Sequence, residues 1–232
     1  MTNLVKKLSF ATLLAFGSVT SAQALVLDSF DYNVALTGST ANGTTSSSSL
    51  LSGVTNTIPA GDVLYTLSTT STSVLGPNAG ASSTTGVMYL FNNDGTSNLT
   101  LDYSDVGAAP LDITDLGASN TFYFDVEFID LGFTFDFTVT DFVGAISTVS
   151  YDQLVAIPSA APTERVYVSF SDFVGSADFA NVATISAAIT GSTAGADLTI
   201  SEVGTTSIPE PTTIAIFGLA LVGFAFSSKR KA

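Results

Sequence analysis

The stretch running from Thr121 to Phe142, "TFYFDVEFIDLGFTFDFTVTDF", restricts the fold more than any other part of the chain. In its first half Phe122, Phe124, Val126 and Phe128 share one parity, while Tyr123, Asp125 and Glu127 take the other. After Leu131 and Gly132, Phe133, Phe135, Phe137 and Val139 alternate with Thr134, Asp136, Thr138 and Thr140. A helix would scatter such a pattern around its axis, whereas a strand sends successive side chains to opposite faces. Two alternating runs around a short turn predict an antiparallel hairpin with an aromatic core face and a polar outer face. Each phenylalanine buried there stabilises the fold by about 1.5–3 kcal/mol.

The remaining sequence favours the same class. Thr, Ser, Gly, Val and Phe abound, and the helix formers Lys, Arg, Gln and Glu are scarce, a composition suited to strands joined by turns. Further strands are expected over 25–36, 62–68, 86–91, 98–103, 145–150, 165–170, 184–190 and 197–202. The Ser/Thr-rich stretch 37–57 has little to bury and reads as a long loop or irregular edge. "SDFVGSADFANV" reads as a loop with one helical turn. No helix is long enough for a βαβ unit, so the fold class expected is all-β: an antiparallel, jelly-roll-like β-sandwich.

Both ends carry addressing signals. Lys6 and Lys7 precede an apolar run from Leu8 to Val19, followed by small residues at Ala22 and Ala24. That is the plan of a secretory signal peptide, with signal peptidase cutting after Ala24. Residues 1–24 are therefore assigned to the signal, 25–207 to one β-sandwich domain, and 208–232 to a separate C-terminal unit. In that unit Pro209, Glu210 and Pro211 form a rigid extended segment, because proline fixes φ and disfavours helix in the residue before it. The apolar stretch 212–226 follows, roughly 22 Å long as a helix, and predicts a single transmembrane helix. Lys229, Arg230 and Lys231 form a basic tail that the positive-inside rule keeps cytoplasmic, leaving the domain outside.

A Pro-Glu-Pro motif, a short apolar helix and a basic tip, in that order, resemble the PEP-CTERM sorting domain. The resemblance implies recognition by an exosortase, a membrane-embedded cysteine peptidase-transferase of Gram-negative bacteria that make exopolysaccharide. It makes Pro209, Glu210 and Pro211 a processing signal and implies an inner-membrane-anchored intermediate bound for the cell surface or extracellular matrix. Elsewhere, "LVLDSFDYN" and "VYVSFSDFVGSADFANVATISAAITGSTAGADLTISEV" resemble the first and last strands of the jelly rolls of carbohydrate-binding modules. That likeness is one of pattern and brings no sugar-binding residues with it.

Residue types narrow the chemistry. The chain has no Cys and no His, which excludes disulfides, Ser-His-Asp and Cys-His sites and ordinary structural zinc. Five of its six basic residues lie in the terminal segments, leaving Arg165 alone in a body that holds nearly all of the twenty acids. Such a surface repels nucleic acid and anionic membranes. The body is read as non-enzymatic; a glycoside-active enzyme would have to rely on paired carboxylates such as Glu127 with Asp125 or Asp136. A carbohydrate-binding role would use Tyr123, Asp125, Glu127 and Asp136, with Tyr89, on the outer face of the hairpin. No cofactor is required, though calcium suits the acidic balance. Asp28, Asp31, Asp94 and Asp197 are its candidate ligands, with Asn92 and Asn93 beside Asp94.

Overall fold

The computed structural model describes residues 24–38, 43–54, 61–71, 79–92, 95–104, 110–153, 155–159, 161–191 and 193–208. Ala22, Asn93, Asp94, the Pro209-Glu210-Pro211 motif, the apolar stretch after it and the basic tail lie outside these residues. Among the described residues, no helix is long and apolar enough to cross a membrane.

The fold is all-β, with every strand pairing antiparallel. In chain order the strands are β1 (Leu25–Asp28), β2 (Val34–Gly38), β3 (Gly43–Val54), β4 (Gly61–Ser71), β5 (Ala79–Thr84), β6 (Val87–Asn92) and β7 (Gly95–Ser104). They continue as β8 (Thr121–Ile129), β9 (Phe133–Asp141), β10 (Ile146–Gln153), β11 (Glu164–Ser169), β12 (Val174–Gly175), β13 (Val182–Gly191) and β14 (Leu198–Thr206). The first 7-stranded sheet runs β11-β8-β14-β6-β5-β2, with β1 also pairing β14; the second 7-stranded sheet runs β12-β10-β9-β13-β7-β4-β3. Two such sheets face to face make the expected antiparallel sandwich.

The alternation around Leu131 is real, but the hairpin is not. β8 pairs with β11 and β14 in the first sheet, and β9 pairs with β10 and β13 in the second. The link after Ile129 carries the chain across the sandwich, so the two aromatic faces meet across the core instead of lying side by side. Phe124 stacks on Phe135 with ring centroids 4.5 Å apart, and Phe122 stacks on Phe137 at 5.6 Å. Period-two alternation assigns a face to each residue; it does not choose the neighbouring backbone.

Three other expectations are revised. The strand expected over 25–36 is two, broken at Phe30, which takes a left-handed φ of 53°. The stretch expected as a long loop or irregular edge over 37–57 holds the 12-residue β3, which is an edge, of the second sheet beside β4, and is regular over Gly43–Leu51. Its serines fit an edge because that position asks little of the buried face. A strand also occupies Ala79–Thr84, whose small residues lack the usual apolar signal. The helical turn expected near Ser171 is a 3-10 turn over Phe170–Asp172, capped by the Ser169 hydroxyl, which accepts from the Ser171 N–H.

The core fills the space between the sheets. Phe30, Phe122, Phe124, Phe133 and Phe135 are buried there with Leu67, Leu99, Leu101 and Ile200. A cavity of about 20 Å³ lies among Phe30, Tyr103, Phe124 and their neighbours. Apolar lining of this kind keeps such a space dry.

Candidate functional site

The outer face of the first sheet gathers the aromatic and charged side chains expected to act. Two rows cross it. Arg165 on β11, Asp125 on β8 and Glu202 on β14 lie in register, and the next row holds Tyr167, Tyr123 and Gly204. Cross-strand neighbours on one face sit close enough to interact directly, and these do. The Arg165 Nε donates to Asp125 Oδ1 at 2.7 Å and its Nη2 donates to Asp125 Oδ2 at 2.6 Å, a bidentate pair. The same Nη2 lies 3.6 Å from Glu202 Oε1.

Arg165 also covers an aromatic ring. Its guanidinium carbon stands 3.9 Å from the centroid of Tyr123, within the range of a cation–π contact. Tyr123 is fully buried on the outer side of the sheet, its hydroxyl donating to Glu202 Oε1 at 2.6 Å. The ring lies over Gly204, where a Cβ would fall 2.6 Å from Tyr123 Oη and 2.4 Å from the Leu25 carbonyl. Burial, followed by the hydrogen bond to Glu202, holds the Tyr123 phenol above its ordinary range. The hydrogen bonds to Asp125 likewise raise Arg165. The pair is part-exposed, with Arg165 at 35% and Asp125 at 17%.

Exposed rings flank this frame. Tyr167 is 44% exposed beside Tyr123, and Tyr89 (41%) and Phe91 (38%) stand on β6 at the other end of the face. Tyr89, Thr199 and the half-buried Phe128 align across β6, β14 and β8. Phe91 lies over Gly80, where a Cβ would meet the ring at 2.3 Å. The ring faces offered to solvent are those of Tyr167, Tyr89 and Phe91, while Tyr123 serves as packing beneath Arg165. Such a surface suits apolar ring faces with polar rims, the geometry of a sugar.

The four residues expected on one outer face are separated. Tyr123 and Asp125 stay together. Glu127 falls in the bulge between Val126 and Phe128, opposite no residue of β14. Asp136 is exposed on β9, between Ser150 and Ala188, on the outer face of the other sheet. This follows from the absent hairpin: once β8 and β9 face each other, their outer faces point in opposite directions. Arg165, Glu202, Tyr167, Phe91 and Gly204 were not among the expected site residues. The signal for Arg165 was visible in its being the single cation of an acidic body.

Of the candidate calcium ligands, Asp94 lies outside the described residues, and Asp28 and Asp197 do not converge. Asp28 is buried inside the sandwich. Its Oδ1 accepts from the Phe30 N–H at 2.7 Å, and its Oδ2 accepts from Tyr32 Oη at 2.5 Å and Tyr103 Oη at 2.7 Å. Tyr32 and Tyr65 share a further hydroxyl contact. Burial pushes the Asp28 carboxyl up to about 6, against the opposing effect of those hydrogen bonds. Asp31 is exposed in the following turn. Asp197 Oδ1 accepts from the Asn92 N–H at 2.9 Å, and the Asp197 N–H donates to Asp130 Oδ1 at 2.7 Å. Asp28 pairs with Val203, whereas Asp197 precedes Leu198 at the other end of β14; at 3.3 Å per residue the two are roughly 20 Å apart. The Asn92 side chain is anchored by its Nδ2 to the Ala196 carbonyl at 3.0 Å, and its buried Oδ1 has no partner among the described residues. Among those residues, no three His, Cys, Asp or Glu side chains are grouped to hold a metal ion.

No curated protein matches the chain. Among solved structures it is similar to PfGH50B at 13% identity, covering 53% of this chain and 20% of that one, with a TM-score of 0.38. It is similar to the family 11 carbohydrate-binding module of the cellulosomal cellulase Lic26A-Cel5E of Clostridium thermocellum, at 13% identity and a TM-score of 0.39. That likeness covers 83% of this chain and 99% of the module. The agarase AgWH50C is 14% identical over 57% of this chain and 22% of its own, with a TM-score of 0.42. The chain thus spans a fifth to a quarter of the two larger structures. Residues 207–231 match the PEP-CTERM protein-sorting motif, so the chain carries a sorting signal that implies export, a membrane-anchored intermediate and processing by an exosortase.

Proposed function

We propose that this chain is a non-enzymatic surface or extracellular-matrix protein, released from its membrane tail by an exosortase and associated with exopolysaccharide. The observation that carries the reading is the sorting motif over 207–231. Support for a non-enzymatic body comes from its carboxylates: Asp136 lies on the second sheet, away from Glu127, and Asp125 is already bound bidentately by Arg165. Export is tested on the full chain in an exosortase-bearing Gram-negative host. A Glu210→Ala variant is expected to accumulate unprocessed in the membrane fraction, and processing at the normal rate would overturn the reading.

A second reading is favoured by the outer face of the first sheet. There the body acts as a carbohydrate-binding module whose exposed rings, Tyr89, Phe91 and Tyr167, stack on sugar faces. A glycan array followed by titration on the best ligand tests it. Tyr167→Ala or Tyr89→Ala is expected to weaken binding about tenfold, or about 1.4 kcal/mol. An array without signal would leave the structural role standing alone.

A further inference from the structure

The sheet edges are not protected alike, and β1, off the main path of the first sheet, is only 4 residues long. β11 enters with Glu164 and Arg165, β2 is 5 residues long, and β10 is partly covered by the 2-residue β12 and carries Asp152. Charges, brevity and partial cover are how sheet edges avoid pairing with other chains. Among the described residues β3 has none of these protections. It is 12 residues of "GTTSSSSLLSGV", with no charge and no proline, and among the described residues it pairs only with β4. Its register with β4 is regular from Gly43 to Leu51, so the backbone groups on its far side present an even ladder. Leu50 stands 57% exposed on it.

Charge distribution points to the occupant. The chain has a formal net charge of −14, and its copies repel one another over most of their surface. No charged residue lies between Asp31 and Asp62, and none between Asp62 and Asp94, so β3 is uncharged along its whole length and its neighbour β4 carries a single acid, Asp62. Antiparallel pairing of β3 with itself is two-fold symmetric and self-complementary. It extends the sheet through backbone hydrogen bonds without bringing acids together.

We infer that β3 is an assembly edge at which two copies of this chain pair antiparallel, joining their second sheets into one. The chain contains no Cys, so a single introduced thiol reports on its own position. The test is made on the full chain. Ser46, Ser47, Ser48 and Ser49 are changed to Cys one at a time, with Ser150→Cys on β10, at the opposite side of the same sheet, as the control. After oxidation with diamide, a disulfide-linked dimer is expected to peak at one of the β3 positions. Its yield should be about tenfold above the control, since pairing holds the two thiols at high effective concentration. Adding Ser48→Lys to the best cross-linking variant, or Ser49→Lys where the peak is at Ser48, should abolish it by setting like charges opposite each other. Equal cross-linking at Ser150, as association through the tail would give, overturns the inference. So do a flat profile along β3 and an adduct of another mass, which would assign the edge to a different protein.

Discussion

Asp28 shows what burial does to a single group. Its partners are a backbone N–H and two phenols instead of a cation, and its carboxyl titrates near 6 when folded against an ordinary 3.8. The folded state therefore holds this proton more tightly than the unfolded chain. The stability it contributes is complete below about pH 4 and is lost as pH rises through about 6, for a total of about 3 kcal/mol. Asp141 works in the opposite direction. The N–H of Asp178, with those of Ala145 and Val143, holds it below its ordinary value, so its contribution is lost as pH falls. The measurement is consequently a comparison: denaturant unfolding at pH 4 and pH 7, with the acid-side gain present in the wild type and missing from Asp28→Asn. Gly204 is the second decisive residue. A methyl group there meets the Leu25 carbonyl and the Tyr123 hydroxyl, so Gly204→Ala is expected to cost about 1–3 kcal/mol, read as a lower denaturation midpoint. An unchanged midpoint would mean that Tyr123 does not lie across this position.

Among the strands, β8 and β9 carry the most information and the least obvious topology. Their alternation is plain in the sequence, and Phe122, Phe124, Phe133, Phe135 and Phe137 lie inside as it requires, while the bulge at Glu127 turns Phe128 to the outer face beside Thr199. The partner of each strand is decided elsewhere, by backbone ladders to β11, β14, β10 and β13. A double-mutant cycle separates the two arrangements. In a hairpin turning at Leu131-Gly132, Phe124 would sit opposite Val139 and about 13 Å from Phe135. Across the sandwich, Phe124 and Phe135 stack at 4.5 Å. Each replacement by Ala should cost about 3–5 kcal/mol, with a coupling of about 0.5–1.5 kcal/mol between them. A coupling near zero would favour the hairpin. β3 poses the converse problem: its serines leave a loop and an edge strand alike in sequence, because an edge strand needs few apolar residues, and the pairing that makes it a strand is supplied by β4.

For the molecule as a whole, the charge map and the sheet map coincide in a useful way. Most of the acids and the single body cation lie between Asp94 and Glu202, with Asp28, Asp31 and Asp62 before them, and Arg165 is held locally by Asp125 and Tyr123. The uncharged stretches are divided between β2, β5 and β6 of the first sheet and β3 at the edge of the second, and the exposed rings lie on the outer face of the first. On the readings proposed above, the ring-bearing face would meet a glycan and the β3 edge a second copy of the chain. The two lie on different sheets, so pairing through β3 would leave Tyr89, Phe91 and Tyr167 open to solvent.

The features readable from the chain alone are those with a local cause. Strand parity, the scarcity of helix formers and a linear processing signal each depend on neighbours in sequence, and the all-β class and the sorting motif follow from them. Folding decided what depends on distant partners. It buried Asp28 among Tyr32, Tyr65 and Tyr103, joined Arg165 to Asp125 and Glu202, and sent Asp136 to the far side of the molecule. Backbone hydrogen bonds are alike from one strand to the next, so alternation says which face a side chain takes and leaves the choice of adjacent strand to the packing of the whole sandwich.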